Sequence, residues 1–266
     1  MNGKSYYIVM AINFCFLAYF LVPVLLGYET FEDNLAFIVL FTLTTSSMIG
    51  RQLLVNYSFK KVNNLLAQQC DPDAYIVEMQ KLLDKATKRG KTASISAFRI
   101  NINVGLVAAG RFEEALAVMP DPALFKNDRT GRISRVTFHH NHFITLLALG
   151  NMEQAALALA NLHDSLDALK GDKLYGMALH QSQLDDIRLE MVNGHFENAE
   201  KTYRNVFDNA KSNFERASAM LRLGETYQHY DRNEEAREAF EYVVAHGNKL
   251  YAVTLAKQHL ASLDAV

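Results

Sequence analysis

The sequence predicts an all-α protein: a two-span transmembrane helical hairpin followed by an α-solenoid of about four irregular helix–turn–helix repeats. Three observations predict it. Two runs near the start carry no charge, one between Lys4 and Glu29 and one between Asp33 and Arg51. From residue 72 onward apolar residues recur at helical spacing, with no alternating runs bounded by turns that would mark strands. One short phrase also returns: "GRFEEA" at 110–115, "GNMEQA" at 150–155, "GHFENA" at 194–199 and a worn "DRNEEA" at 231–236.

The first run, "YYIVMAINFCFLAYFLVPVLLGY" at 6–28, interrupts its apolar character only with Asn13 and Pro23. About 20 residues at ~1.5 Å rise cross a ~30 Å hydrocarbon core, so it is long enough to span. It exceeds the ~7–15 residues of a signal-peptide core, and no small-residue cleavage site follows. The second run, "NLAFIVLFTLTTSSMIG" at 34–50, is shorter. Thr42, Thr44, Thr45, Ser46 and Ser47 could bond across to the first span. A buried helix of a globular domain competes with this reading on length. Lys4 before the pair and Arg51, Lys60 and Lys61 after it put both termini on the cytoplasmic side of a cell membrane. The acidic connector "YETFEDN" at 28–34 falls outside. The expected organisation is an anchor over 1–60, with the lipid bilayer as partner through residues 6–50, and a cytoplasmic solenoid over 71–266.

Charge and cysteine content narrow the options. The first 50 residues hold one of the 27 bases and three of the 29 acids, which leaves 26 of each beyond them. That balance gives no basic footprint for nucleic acid. Cys15 and Cys70 lie too far apart in sequence for a zinc spacing and form no disulfide framework.

The solenoid opens with "DPDAYIVEMQKLLDKATKRG" at 71–90, an N-terminal capping helix or half of a degenerate fifth repeat, with Asp71 as N-cap and Pro72 at the first helical position. Helices are then expected at 92–109, 133–149, 173–193 and 213–230, each ahead of one elbow phrase. Glycine at 110, 150 and 194 suits the left-handed residue that stops a helix, and an acid two residues before the alanine suits the start of the next. Ala115, Ala155, Ala199 and Ala236 stand four residues before Met119, Leu159, Tyr203 and Phe240. A small residue then lets two helices approach while the bulky one fills the space one turn on. The stretch 120–132 is an irregular insertion, and 248–263 reads as a closing cap helix.

The last unit, "LRLGETYQHYDRNEEAREAFEYV" at 221–243, resembles the tetratricopeptide repeat. Leu223, Gly224, Tyr227, Ala236 and Phe240 fall at the spacing of its L-G-x2-Y…A-x3-F pattern. The other units resemble it only in their second halves, and elbow spacings of 40, 44 and 37 residues exceed its usual 34. The resemblance implies a groove along the first helices that takes an extended or helical segment of a protein or peptide. Carried over by spacing from each elbow, it puts Asn101, His140, Asn141, Gln181, Asp185, Arg188, Arg222, Glu225 and Gln228 on that face.

Catalytic chemistry is not legible, and the expectation is a non-catalytic scaffold with no cofactor and no metal. "FHHNHF" at 138–143 places His139 and His142 on one helix face, the spacing of a metal pair, but no third ligand stands near in sequence. A membrane enzyme with a metal site there is one alternative. A regulator whose solenoid changes shape on binding a small peptide is another. Asp185 and Asp186 are adjacent and diverge by about 100° on a helix, so they form no carboxylate pair. Polar residues in the second run would permit a homo-oligomer.

Overall fold

The computed structural model describes residues 57–265, together with Tyr19 and Leu26, and over these residues the chain is helical with no strand. It divides into two compact units, Met1–Lys61 and Val62–Val266. The helices in chain order are α1, helical over 57–67, α2 (Pro72–Lys88), α3 (Thr92–Ala108) and the short α4 (Phe112–Val118). Then follow α5 (Arg129–Ala148), α6 (Met152–Asp167) and α7 (Tyr175–Val192). Last come α8 (Ala199–Asn209), α9 (Asn213–His229), α10 (Asn233–His246) and α11 (Tyr251–Asp264).

The elbows repeat down to their hydrogen bonds. At Gly110, with φ +76°, the N–H donates to Val107 C=O, and the Arg111 N–H donates to Leu106 C=O at 2.8 Å. Gly150 and Asn151 do the same to Leu147 and Leu146, Gly194 and His195 to Met191 and Glu190, and Asp231 and Arg232 to Gln228 and Tyr227. These paired bonds satisfy the last carbonyls of each first helix through one left-handed residue. Asp231 takes that conformation, φ +57°, as short polar side chains tolerate. The four alanines that follow are inaccessible to solvent. In the last unit Gly224 is what lets α9 meet α10: a Cβ there would lie 2.5 Å from the Phe240 ring, which is fully buried.

Two units depart from the pattern read in the sequence. In the first, α4 ends after seven residues, and Met119 leaves the helix with ψ 138°. It packs instead with Ile100, Phe125 and Phe138 under the insertion. Part of that insertion is helical: Pro122–Leu124 forms a 3₁₀ turn, Asp128 accepts from the Gly131 N–H at 2.8 Å, and α5 begins at Arg129 rather than 133. In the third, residues 196–198 form a turn, so α8 starts only at Ala199.

The stack closes on itself. The Lys249 ammonium meets the Asp71 carboxylate at 2.7 Å, the Asn248 amide donates to Gln69 C=O at 2.7 Å, and Asn213 donates to Gln68 C=O at 2.8 Å. Leu250 and Ala217 join a buried cluster with Leu66, Tyr75, Met79 and Leu106, so residues from both ends of the unit share one core. Tyr251 lies against the Gly110 elbow and makes an edge-to-face contact with Phe112, ring centroids 5.2 Å apart.

The predicted hairpin anchor requires a correction. Among the described residues no helix is long and apolar enough to cross a membrane. The most apolar candidate, α3, has 17 residues and carries Arg99, and 20-residue α5 carries three arginines and three histidines. The spans expected at 6–28 and 34–50 lie outside the described residues, Tyr19 and Leu26 apart. Over the described residues the fold class is all-α, and no two-span hairpin is supported there. The cell-membrane location with cytoplasmic termini, which rested on those spans, is likewise not supported by the described residues.

Candidate functional site

The first helices stand in a row. α3 packs on α5 and α5 on α7, while α11 packs on α9 and reaches α3. The row is loosest between α7 and α9, and two adjoining cavities lie there. One, of ≈ 350 Å³, is apolar, with Val107 of α3, Ile144 and Leu147 of α5, Val192 of α7, Leu221 of α9 and Leu255 of α11 in its walls. The other, of ≈ 380 Å³, mixes apolar walls from Met191, Val192 and Phe196 with the polar side chains of Glu225, Gln228, His229 and His259. Arg188, Val192 and Arg222 border both.

Four of the nine groove residues expected from the sequence therefore converge: Arg188, Arg222, Glu225 and Gln228. Each arginine has a different electrostatic setting. Arg222 donates to both oxygens of Glu225, at 2.9 and 2.7 Å, one helical turn along α9. Burial opposes its charge, but the Glu225 carboxylate and the Tyr203 hydroxyl together hold the guanidinium above its ordinary pKa. Arg188 makes no hydrogen bond or ion pair among the described residues, and its buried Nε has no partner. Gln228 is fixed from α11: His259 Nδ1 lies 2.7 Å from its Oε1, and its amide donates to the Ser262 hydroxyl at 3.1 Å. The His259 ring stacks on Phe240, centroids 4.7 Å apart.

A polar rung crosses the same face one turn earlier. His140 of α5 meets Asp185 of α7 at 2.6 Å, and Asp185 is fully buried with its second oxygen unpartnered. Asn141, 6% exposed, has an unpartnered amide nitrogen. Asn103 of α3, inaccessible, donates to Thr145 at 3.2 Å and to Ala115 C=O at 2.9 Å, tying α3 to α5. Asp186 faces the other way and pairs with His163 at 3.2 Å, so the two adjacent aspartates diverge as helix geometry requires.

Asn101 and Gln181 join neither cavity. Asn101 accepts from the Tyr75 hydroxyl at 3.1 Å and donates to Ala97 C=O, so it faces α2. Gln181 lies one turn before Asp185 and is partly exposed. Reasoning from the elbows missed the contribution of α11, whose Tyr251, Leu255 and His259 recur every four residues along the wall. That spacing is present in the sequence, but a cap helix is not expected to line a groove.

The histidine pair at 139 and 142 is packed around Phe138, with ring centroids 5.2 and 5.4 Å from it. Burial holds both imidazoles below their ordinary pKa. Among the described residues no three His, Cys, Asp or Glu side chains are grouped closely enough to hold a metal. Cys70 is a buried free thiol, its pKa raised by burial.

Compared with known proteins, the chain matches no family model, no curated protein and no solved structure.

Proposed function

We propose that this chain is a non-catalytic binding protein of tetratricopeptide-repeat type, which takes a peptide or protein segment on the shared face of its first helices. The observation that carries the reading is the second cavity, with its mixed lining. It gathers Arg188, Arg222, Glu225, Gln228 and His259 from three helices, with both signs of charge and amide donors and acceptors. A peptide needs such a mixture, because every main-chain N–H and C=O it brings must find a partner once removed from water. The elbow hydrogen bonds and the buried alanines support the repeat reading, since they recur at the positions where the resemblance puts them.

Selection from a random peptide display library against the full chain tests this. Enriched peptides are then measured against Arg188→Ala, Gln228→Ala and, as a control far from the cavity, Lys81→Ala, whose side chain is exposed on α2. The expected outcome is at least tenfold weaker binding for one or both cavity variants and none for the control, since a hydrogen bond to a charged group contributes about 1.5–3 kcal/mol. No enrichment, or equal binding by all three variants, overturns the reading.

A further inference from the structure

The apolar cavity has a chemistry that peptide binding does not use. Its walls come from six helices, and apart from the two arginines only Ser218 and Tyr251 bring a polar side chain to it. The helix main chains around it are spent on their own hydrogen bonds. A peptide entering would leave its N–H and C=O groups without partners, whereas an alkyl chain brings none. A volume of ≈ 350 Å³ lies at the small end of the ~300–1,000 Å³ range for small organic ligands.

Charge selects the head group. Arg222 is neutralised by its two bonds to Glu225, and Asp185 is engaged by His140. Among the described residues no carboxylate lies within ion-pair distance of Arg188. One guanidinium without a counter-charge therefore borders an apolar chamber. A single carboxylate meets it in paired hydrogen bonds, a geometry that suits arginine in particular. We propose that this cavity binds a linear aliphatic monocarboxylate, with the tail against Ile144, Leu147, Leu221 and Leu255 and the carboxylate on Arg188. The proposal is independent of the peptide reading, although Arg188 borders both cavities and the two ligands would compete for it.

The test is calorimetric titration of the full chain with octanoate, octanol and octylammonium, on wild type and Arg188→Ala, each first checked by thermal unfolding. A photoreactive octanoate, mapped by mass spectrometry, locates the site without any variant. Octanoate is expected to bind wild type and to weaken about ten- to a hundredfold in Arg188→Ala. Octanol should bind both proteins alike and more weakly than octanoate binds wild type, and the label should fall within 144–148, 214–222 or 250–255. Equal octanoate affinity in the two proteins, octylammonium binding as tightly as octanoate, labelling elsewhere, or no binding each overturns the proposal. So does tighter binding of a short peptide ending in leucine with a free carboxylate, which would assign the cavity to a chain terminus.

Discussion

Gly110 and Gly150 occupy the same elbow position with the same backbone, φ +76° and +75°, yet alanine should affect them differently. At Gly150 a Cβ would meet nothing within 4 Å, so the change adds only left-handed strain, about 1–2 kcal/mol. At Gly110 the Cβ would lie 2.4 and 2.7 Å from two carbons of the Tyr251 ring, about 1 Å inside the ~3.5–4.0 Å of a good carbon contact. Overpacking of this kind adds about 1–3 kcal/mol. At roughly 2–4 °C per kcal/mol for a unit of this size, Gly110→Ala should melt about 2–12 °C below Gly150→Ala, followed by circular dichroism at 222 nm. In a Tyr251→Ala background the excess should vanish, a coupling of about 1–3 kcal/mol. Equal melting of the two glycine variants, or an excess that survives removal of the ring, would refute the contact between the first elbow and the last helix.

Other perturbations follow from the polar rung and the core. His140→Ala strips the partner from a fully buried Asp185 and should cost about 3–5 kcal/mol, while His140→Leu/Asp185→Leu should cost clearly less, measured by urea titration. His139 and His142 have folded pKa values below the ordinary 6.5, so the unfolded chain binds more protons as the pH falls below it. Their contribution to stability is complete above about pH 6.5 and declines as pH falls towards their folded values; His139→Gln/His142→Gln should flatten that slope in melting curves between pH 5 and 7. Gly224→Ala drives a methyl into the Phe240 ring and should cost about 1–3 kcal/mol, and Phe240→Ala about 3–5 kcal/mol. A neutral Phe240→Ala by chemical denaturation would contradict its place in the core.

The helical class and the elbow positions were legible because they rest on local chemistry. A glycine that must be left-handed, an acid near a helix start and an alanine that must be small each act within a few residues. The end of α4 was not legible, since Met119 leaves its helix for Phe125, in an insertion without periodicity, and for Phe138 of α5. The cavity lining was partly legible. Spacing put Arg188, Arg222, Glu225 and Gln228 on one face and they line one cavity, but spacing cannot tell Asn101, satisfied by Tyr75, from Arg188, which has no partner among the described residues. The apolar cavity was hidden altogether. Its walls are ordinary core-forming residues, and only the meeting of α11 with α3 makes them a chamber.

That meeting bears on how the chain is made and how it can evolve. Contacts such as Lys249 to Asp71 span 178 residues, so the core beneath α2 and α3 is finished only after the final helix has been synthesised. Such long-range closure slows folding and leaves early helices exposed in the meantime. An open-ended stack can gain or lose a unit at little penalty, because each unit touches only its neighbours. Here, a unit inserted anywhere between Ala109 and Gly247 would pull Tyr251 off Gly110 and Asn248 off Gln69 together. The unit count is fixed by geometry, and duplication of a repeat in this chain should unfasten both ends at once.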